Sequence, residues 1–336
     1  MMEEEDEYNE TLEGTTSPEA WIADDGGSLA GDDVRHGRYP DWAVEAFARR
    51  DPPIEREPEP PFRGHGNSFD LTAGDVDRDG LLDLVVSDIT HGWAGESSDR
   101  TRLLLRQDDR SAPPLLSAAG AAWSLDRIPE GARSWNQGDL FCQLADLDLD
   151  GWVDLLVSSG DYPDDQRLRF YHNEAGAGFR DATAEAGLDH DGSQQLSLAD
   201  IDRDGDLDLV VGQTFFRYGA EQRAWRTPAM RVYLNQAVEQ GARAVVLRLF
   251  GDGKGVHPDA LGVRVRGYLA DGTVLLRELN PIGGHAGKQN GLALHLGLGE
   301  AEQLEKLVIT WPDRSRTTQL FGALGPGRYE KAFTGE

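Results

Sequence analysis

The stretch Asp200-Ile201-Asp202-Arg203-Asp204-Gly205-Asp206-Leu207-Asp208 (DIDRDGDLD) sets acidic side chains at alternate positions around one glycine. The pattern also begins at Asp75 (DVDRDGLLD) and at Asp146 (DLDLDGWVD). The chain already carries a net charge of -27, so crowding like charges together three times calls for a counter-charge. A loop of the form D-x-D-x-D-G-x-x-D can bring side chains 1, 3, 5 and 9 to one centre, together with the backbone carbonyl of position 7. Gly80, Gly151 and Gly205 permit the sharp turn this needs.

The candidate ligands of the first loop are Asp75, Asp77, Asp79, Asp83 and the carbonyl of Leu81. In the second loop they are Asp146, Asp148, Asp150, Asp154 and the carbonyl of Trp152. The third offers Asp200, Asp202, Asp204, Asp208 and the carbonyl of Asp206. All-oxygen ligation rich in carboxylates suits Ca2+, about three ions per chain. An EF-hand would place a bidentate Glu at position 12 and continue as a helix. Position 12 is instead Val86, Val157 and Val211, each within a β-branched run, so the expectation is strand-loop-strand.

The acidic loops sit inside a larger repeat that recurs at roughly 50–70 residues, the scale of a four-stranded propeller blade. Each copy has an apolar run, the loop and a second strand: FDLTAGD and LLDLVVSD, LFCQLAD and WVDLLVSS, QLSLAD and DLDLVVGQ. A third strand follows in each, as RLLLRQ, RLRFYHNE and MRVYLNQ. After Gln236 the segments AVVLRLF, LGVRVRGYL, TVLLREL, LALHLGL, KLVITW and TTQLF alternate as half-buried strands do. The predicted organisation is an acidic tail (1–34), a short helix and Pro-rich linker (35–66), blades (67–236), a β-domain (237–325) and a closing tail (326–336). The fold class is all-β: propeller-type blades followed by a small sandwich or barrel-like domain.

Composition narrows the function. Sixty acidic residues against 33 basic ones repel a nucleic acid. No run is long and apolar enough for a membrane span. The single cysteine, Cys142, excludes an internal disulfide framework. The first residues, MMEEEDEYNE, show no basic start or apolar segment of a signal peptide. That leaves two expectations open: a cytoplasmic chain, or one that begins after a removed leader.

Catalytic patterns are sparse. Eight histidines are scattered, with no G-x-S-x-G or H-E-x-x-H. His91 and Asp161 follow the loop strands and could meet on one face, although polar loop residues are the simpler reading. His285 and His295 are taken as packing or surface groups. Trp93, Trp135, Trp225 and Tyr218 are candidates for a carbohydrate platform, and Trp311 for core.

The loops with their flanking strands, and RLRFYHNEAGAGFRDATAEAGL between them, resemble FG-GAP/VCBS repeats, the calcium-bearing blades of integrin-α-like propellers. The C-terminal segments ALGVRVRGYLADGTVLLREL and LHLGLGEAEQLEKLVITWPDRSRTTQL resemble the ASPIC/UnbV domain. That domain follows such repeats in cartilage acidic protein-like bacterial proteins, and a related protein is encoded with enediyne biosynthesis genes. The resemblance spans roughly Gly66 to Leu320 and implies a propeller, calcium and secretion, with no known reaction. The resulting expectation is a calcium-stabilised, non-catalytic binding or scaffold protein, extracellular or periplasmic, with a protein or glycan ligand. The competing class is an enzyme or accessory protein of a biosynthetic pathway, with its site on the loop face.

Overall fold

The computed structural model describes residues 67–89, 101–107, 116–125, 127, 138–159, 167–215, 218–283 and 287–334. The expected helix near Trp42, with its linker and the acidic tail, lies outside the described residues. Those residues form an all-β chain whose one helix, α1 (Ala220–Arg223), is a single turn.

Apolar alternation and the acidic loops together build three antiparallel sheets. The first takes β1 (Asn67–Gly74), β2 (Asp83–Ile89), β3 (Arg102–Arg106) and β4 (Leu116–Ala118) in chain order. The second takes β5 (Phe141–Ala145), β6 (Asp154–Ser158), β7 (Leu168–Asn173) and β8 (Phe179–Asp181). The third has three strands, β9 (Ser193–Ala199), β10 (Asp208–Gln213) and β11 (Arg231–Tyr233).

Each acidic loop closes the hairpin between the first two strands of its sheet. The aspartate at position nine pairs with the residue just before position one, as Asp83 with Gly74, Asp154 with Ala145 and Asp208 with Ala199. The strand-loop-strand expectation therefore holds at all three copies.

Period-two patterning decides how the sheets stack. Leu155 and Val157 of β6 face a core shared with Val85 and Leu103 of the first sheet. Leu156, on the opposite face, joins Leu196, Leu209 and Val211 of the third. A strand sandwiched in this way must be apolar on both faces, and every residue of β6 is buried.

The C-terminal part has two more sheets. One, in the order β17 (Ala293–Gly297), β12 (Ala244–Phe250), β20 (Gly327–Ala332), is mixed, because β20 runs parallel to β12. The other runs β14 (Val274–Glu278), β13 (Arg264–Tyr268), β18 (Lys306–Thr310), β19 (Thr318–Phe321). Both contribute to one core: Val245 and Leu247 meet Val265, Leu275, Ile309 and Trp311. The segment expected to be a closing tail thus contains β20, which completes the first of these two sheets.

A small hairpin, β15 (Ile282–Gly283) with β16 (Lys288–Gln289), ties this sandwich to the three loop-bearing sheets. Lys288 Nζ reaches Asp70 Oδ2 on β1 at 2.8 Å and the Cys142 carbonyl on β5 at 2.7 Å. Asn290 donates to Gln143 Oε1 at 2.8 Å and accepts the Leu198 N–H on β9 at 3.0 Å. The first strands of all three sheets are therefore held from one short segment. Among the described residues, no helix is long and apolar enough to cross a membrane.

Candidate metal centres

The three loops share a backbone course. Position four is left-handed in each, with φ of 58° at Arg78, 62° at Leu149 and 68° at Arg203. The glycine at position six follows at 87°, 92° and 119°, a region that disfavours side chains. Within this course each carboxylate at position three accepts the N–H of position five. Each at position five in turn accepts the N–H of position seven, so that Leu81, Trp152 and Asp206 are all held this way.

Position nine acts as a clamp. Asp83 Oδ2 accepts the Val76 N–H and its Oδ1 the Arg106 N–H, both at 2.9 Å. Asp154 does the same with Leu147 and Asn173, and Asp208 with Ile201 and Asn235. One buried carboxylate thus fixes both the loop entrance and the chain at the third strand. An oxygen that accepts one N–H still has a lone pair for a cation.

Convergence is real but differs between copies. Asp75, Asp77 and Asp83 bring ligand atoms within 4.8 Å of one another, as do Asp200, Asp202 and Asp208. Asp79 is absent from the first group. In the second loop Asp146, Asp148 and Asp150 converge, and Asp148 and Asp154 also converge with His172. Asp204 and Asp206 meet Glu239 instead. His172 and Glu239 carry no signal in the nine-residue motif; they are brought in by β7, the third strand of the second sheet, and by the turn after β11.

The electrostatics favour a bound cation. Burial, with Asp79 and Asp77 nearby, pushes Asp75 up to about 7. Burial likewise raises Asp83 to about 7, and Asp150 and Asp206 to about 6. It holds Asp154 well above the ordinary carboxylate range. Asp75 Oδ1, Asp200 Oδ1, Asp204 Oδ2 and Asp206 Oδ1 are buried and accept no hydrogen bond. Buried carboxylate oxygens without donors, in an all-oxygen set, fit a hard divalent ion.

Protein cations break the symmetry between loops. Arg277 of β14 donates to Asp146 Oδ2 at 2.8 Å, and the Gly297 N–H reaches the same oxygen at 3.1 Å. His172 Nε2 lies 3.0 Å from Asp148 Oδ2. Asp200 Oδ2 pairs with Arg328 and lies 3.5 Å from His295 Nε2, whose titration burial lowers to about 4. Burial thus favours the neutral imidazole at His295. Arg78 crosses from the first loop to the Asp150 and Gly151 carbonyls and lies 3.7 Å over the Trp152 ring. Among the described residues no cationic side chain hydrogen-bonds to Asp75, although Arg277 and Arg78 lie near enough to act on it electrostatically.

His91, Asp161, His285, Trp93 and Trp135 lie outside the described residues. Trp225 is exposed and packs beside Arg226, which also faces Tyr218. Trp311 is fully buried and donates to Gln319 Oε1, as a core residue would.

Two family models match separate stretches of the chain. The model for the FG-GAP-like repeat matches residues 146–211, from the second loop to β10. The model for ASPIC and UnbV matches residues 253–328, within the C-terminal sandwich. No curated protein matches the chain. The chain therefore combines an FG-GAP-like repeat with an ASPIC/UnbV domain.

Proposed function

We propose that the chain is a calcium-stabilised, non-catalytic binding or scaffold protein whose acidic loops staple propeller-type blades. The observation that carries this reading is the common wiring of the loops: buried carboxylates converge while a position-nine clamp fixes the hairpin around them. Calcium supplies positive charge and accepts 6–8 oxygens, so it offsets the repulsion and ties each loop closed. The aspartates orient one another through the chain of N–H bonds, and their raised titration means that protons are the competitors for the site. An extracellular or periplasmic setting, where calcium is plentiful, fits loops of this kind. A protein or glycan is the ligand class expected from the FG-GAP resemblance.

The test is metal content and thermal stability together. Protein dialysed against dilute calcium should retain at least about three ions, one or more per loop, with Mg2+ a poor competitor because it keeps its water. Chelation should lower Tm and calcium restore it. Metal-free protein with an unchanged Tm would refute the proposal.

A further inference from the structure

The third loop differs from its two copies at position seven, where Asp206 stands in place of Leu81 and Trp152. Asp206 is 0% exposed, and it does not turn away from the loop. Its Oδ2 accepts the Val238 N–H at 3.1 Å, while its Oδ1 is buried and accepts nothing. Asp204 repeats the arrangement: Oδ1 takes the Asp206 N–H at 3.1 Å and Oδ2 is buried without a donor. Glu239, exposed on the turn after β11, brings a third carboxylate within 4.8 Å of these two.

Asp200, Asp202 and Asp208 form one group of converging oxygens, and Asp204, Asp206 and Glu239 another that touches the first only where Asp204 lies beside Asp202. The cation paired with this loop, Arg328, is placed on Asp200. Like charges this close, with two oxygens sealed from water, repel strongly. We infer that the third loop holds a second divalent cation, bound by Asp204, Asp206 and Glu239. Three carboxylates and no nitrogen or sulfur specify a hard ion, with water completing its shell at the exposed Glu239 side.

The consequence is mechanical. Val238 and Ala242, on either side of Glu239 and Gln240, pack with Leu149, Ala244 and Val246. An ion linking Glu239 to the loop would fasten the turn that leads into β12 and the C-terminal sandwich. The inference shares with the proposed function only the choice of calcium as the ion.

Equilibrium dialysis of the full chain against Ca2+ tests it. Glu239→Gln should bind one ion fewer than the parent, and Glu239→Gln with Asp206→Asn should lose no more than that one. Combining Glu239→Gln with Asp202→Ala should lose two, because the ions are distinct. Glu239→Lys should also lose the ion, yet keep the metal-free Tm at or above the parent value, since the ammonium takes the place of the cation. An ion count in Glu239→Gln equal to the parent's overturns the second site while leaving the other loops intact. A parent that binds no calcium at all overturns both readings.

Discussion

Arg277 Nη2 lies 2.8 Å from Asp146 Oδ2, which joins the C-terminal sandwich to the first position of the second acidic loop. The side chains are 11% and 1% exposed, and the same nitrogen also reaches the Gly151 carbonyl at 3.1 Å. Removing the guanidinium would leave a carboxylate that burial already pushes upward without its strongest partner. Arg277→Met should therefore cost about 3–5 kcal/mol in chelator, read from urea unfolding. Calcium should recover part of that loss by taking over the charge. A cost below ~1 kcal/mol would mean the pair does not fasten the two parts together.

The three loops should not respond alike. Asp75 has a buried oxygen with no donor, whereas the second loop already has Arg277 and His172 beside its aspartates. Asp77→Ala should therefore remove more of the calcium-dependent rise in Tm than Asp148→Ala, with Asp202→Ala between them because Arg328 already pairs with Asp200 in the third loop. The rise is measured for each variant as Tm with calcium minus Tm with chelator. Equal losses in all three would restore the symmetric reading that the motif alone suggests.

Proton linkage gives a third expectation, for the metal-free protein. Asp75 and Asp83 titrate near 7 when folded, against about 4 unfolded. Between those values the unfolded chain binds fewer protons, so stability falls as pH rises. Metal-free protein should be more stable at pH 5 than at pH 8, and the slope should flatten above pH 7. Saturating calcium should reduce or invert the difference, because the ion binds the deprotonated form. A metal-free stability that climbs steadily from pH 5 to pH 8 would contradict the raised carboxylates.

The loops were legible because their chemistry is local: five alternating positions and a glycine lie within nine residues. The central strands were legible too, since Leu155, Leu156 and Val157 are apolar on both faces. β20 was missed because GRYEKA buries no clean face; it is held by backbone pairing to β12, more than eighty residues earlier. The hairpin of β15 and β16 is too short to show any period. Arg277, Arg328 and His295 were invisible as loop partners, and Lys288 as the partner of Asp70 on β1, for a related reason. Each acts on an aspartate far away in sequence, and nothing in its own neighbourhood marks it. Asp206 is the intermediate case, visible as an extra acid but read only for its carbonyl.

Close approach at Gly297 supplies a fourth test of how the sandwich meets the second loop. A Cβ there would stand 2.5 Å from Asp146 Oδ2 and from the Leu149 backbone, neither of which can retreat easily. Gly297→Ala should cost about 1–3 kcal/mol through forced displacement. It should also speed amide exchange at Gly151 and Leu149 more than at Val265, deep in the sandwich core. Unchanged exchange at the loop would show that β17 does not bear on it.

The last prediction concerns Lys288, whose ammonium lies 2.8 Å from Asp70 with side-chain exposures of 1% and 0%. Asp70 also accepts the Leu71 N–H at 2.7 Å and the Cys142 N–H at 3.0 Å, so the carboxylate is fully engaged. Two buried charges that satisfy each other contribute little net stability compared with an apolar pair, but a lone survivor is expensive. Lys288→Met should cost about 3–5 kcal/mol and loosen β1 from β5. Asp70→Asn keeps an oxygen for the Cys142 N–H while removing the charge. Combined with Lys288→Met, it should cost clearly less than the sum of the single changes, with a coupling of up to ~3 kcal/mol. Additive losses would mean that the hairpin is held by its neighbours Asn290 and Gly291, and that Lys288 is not what pins the first strands together.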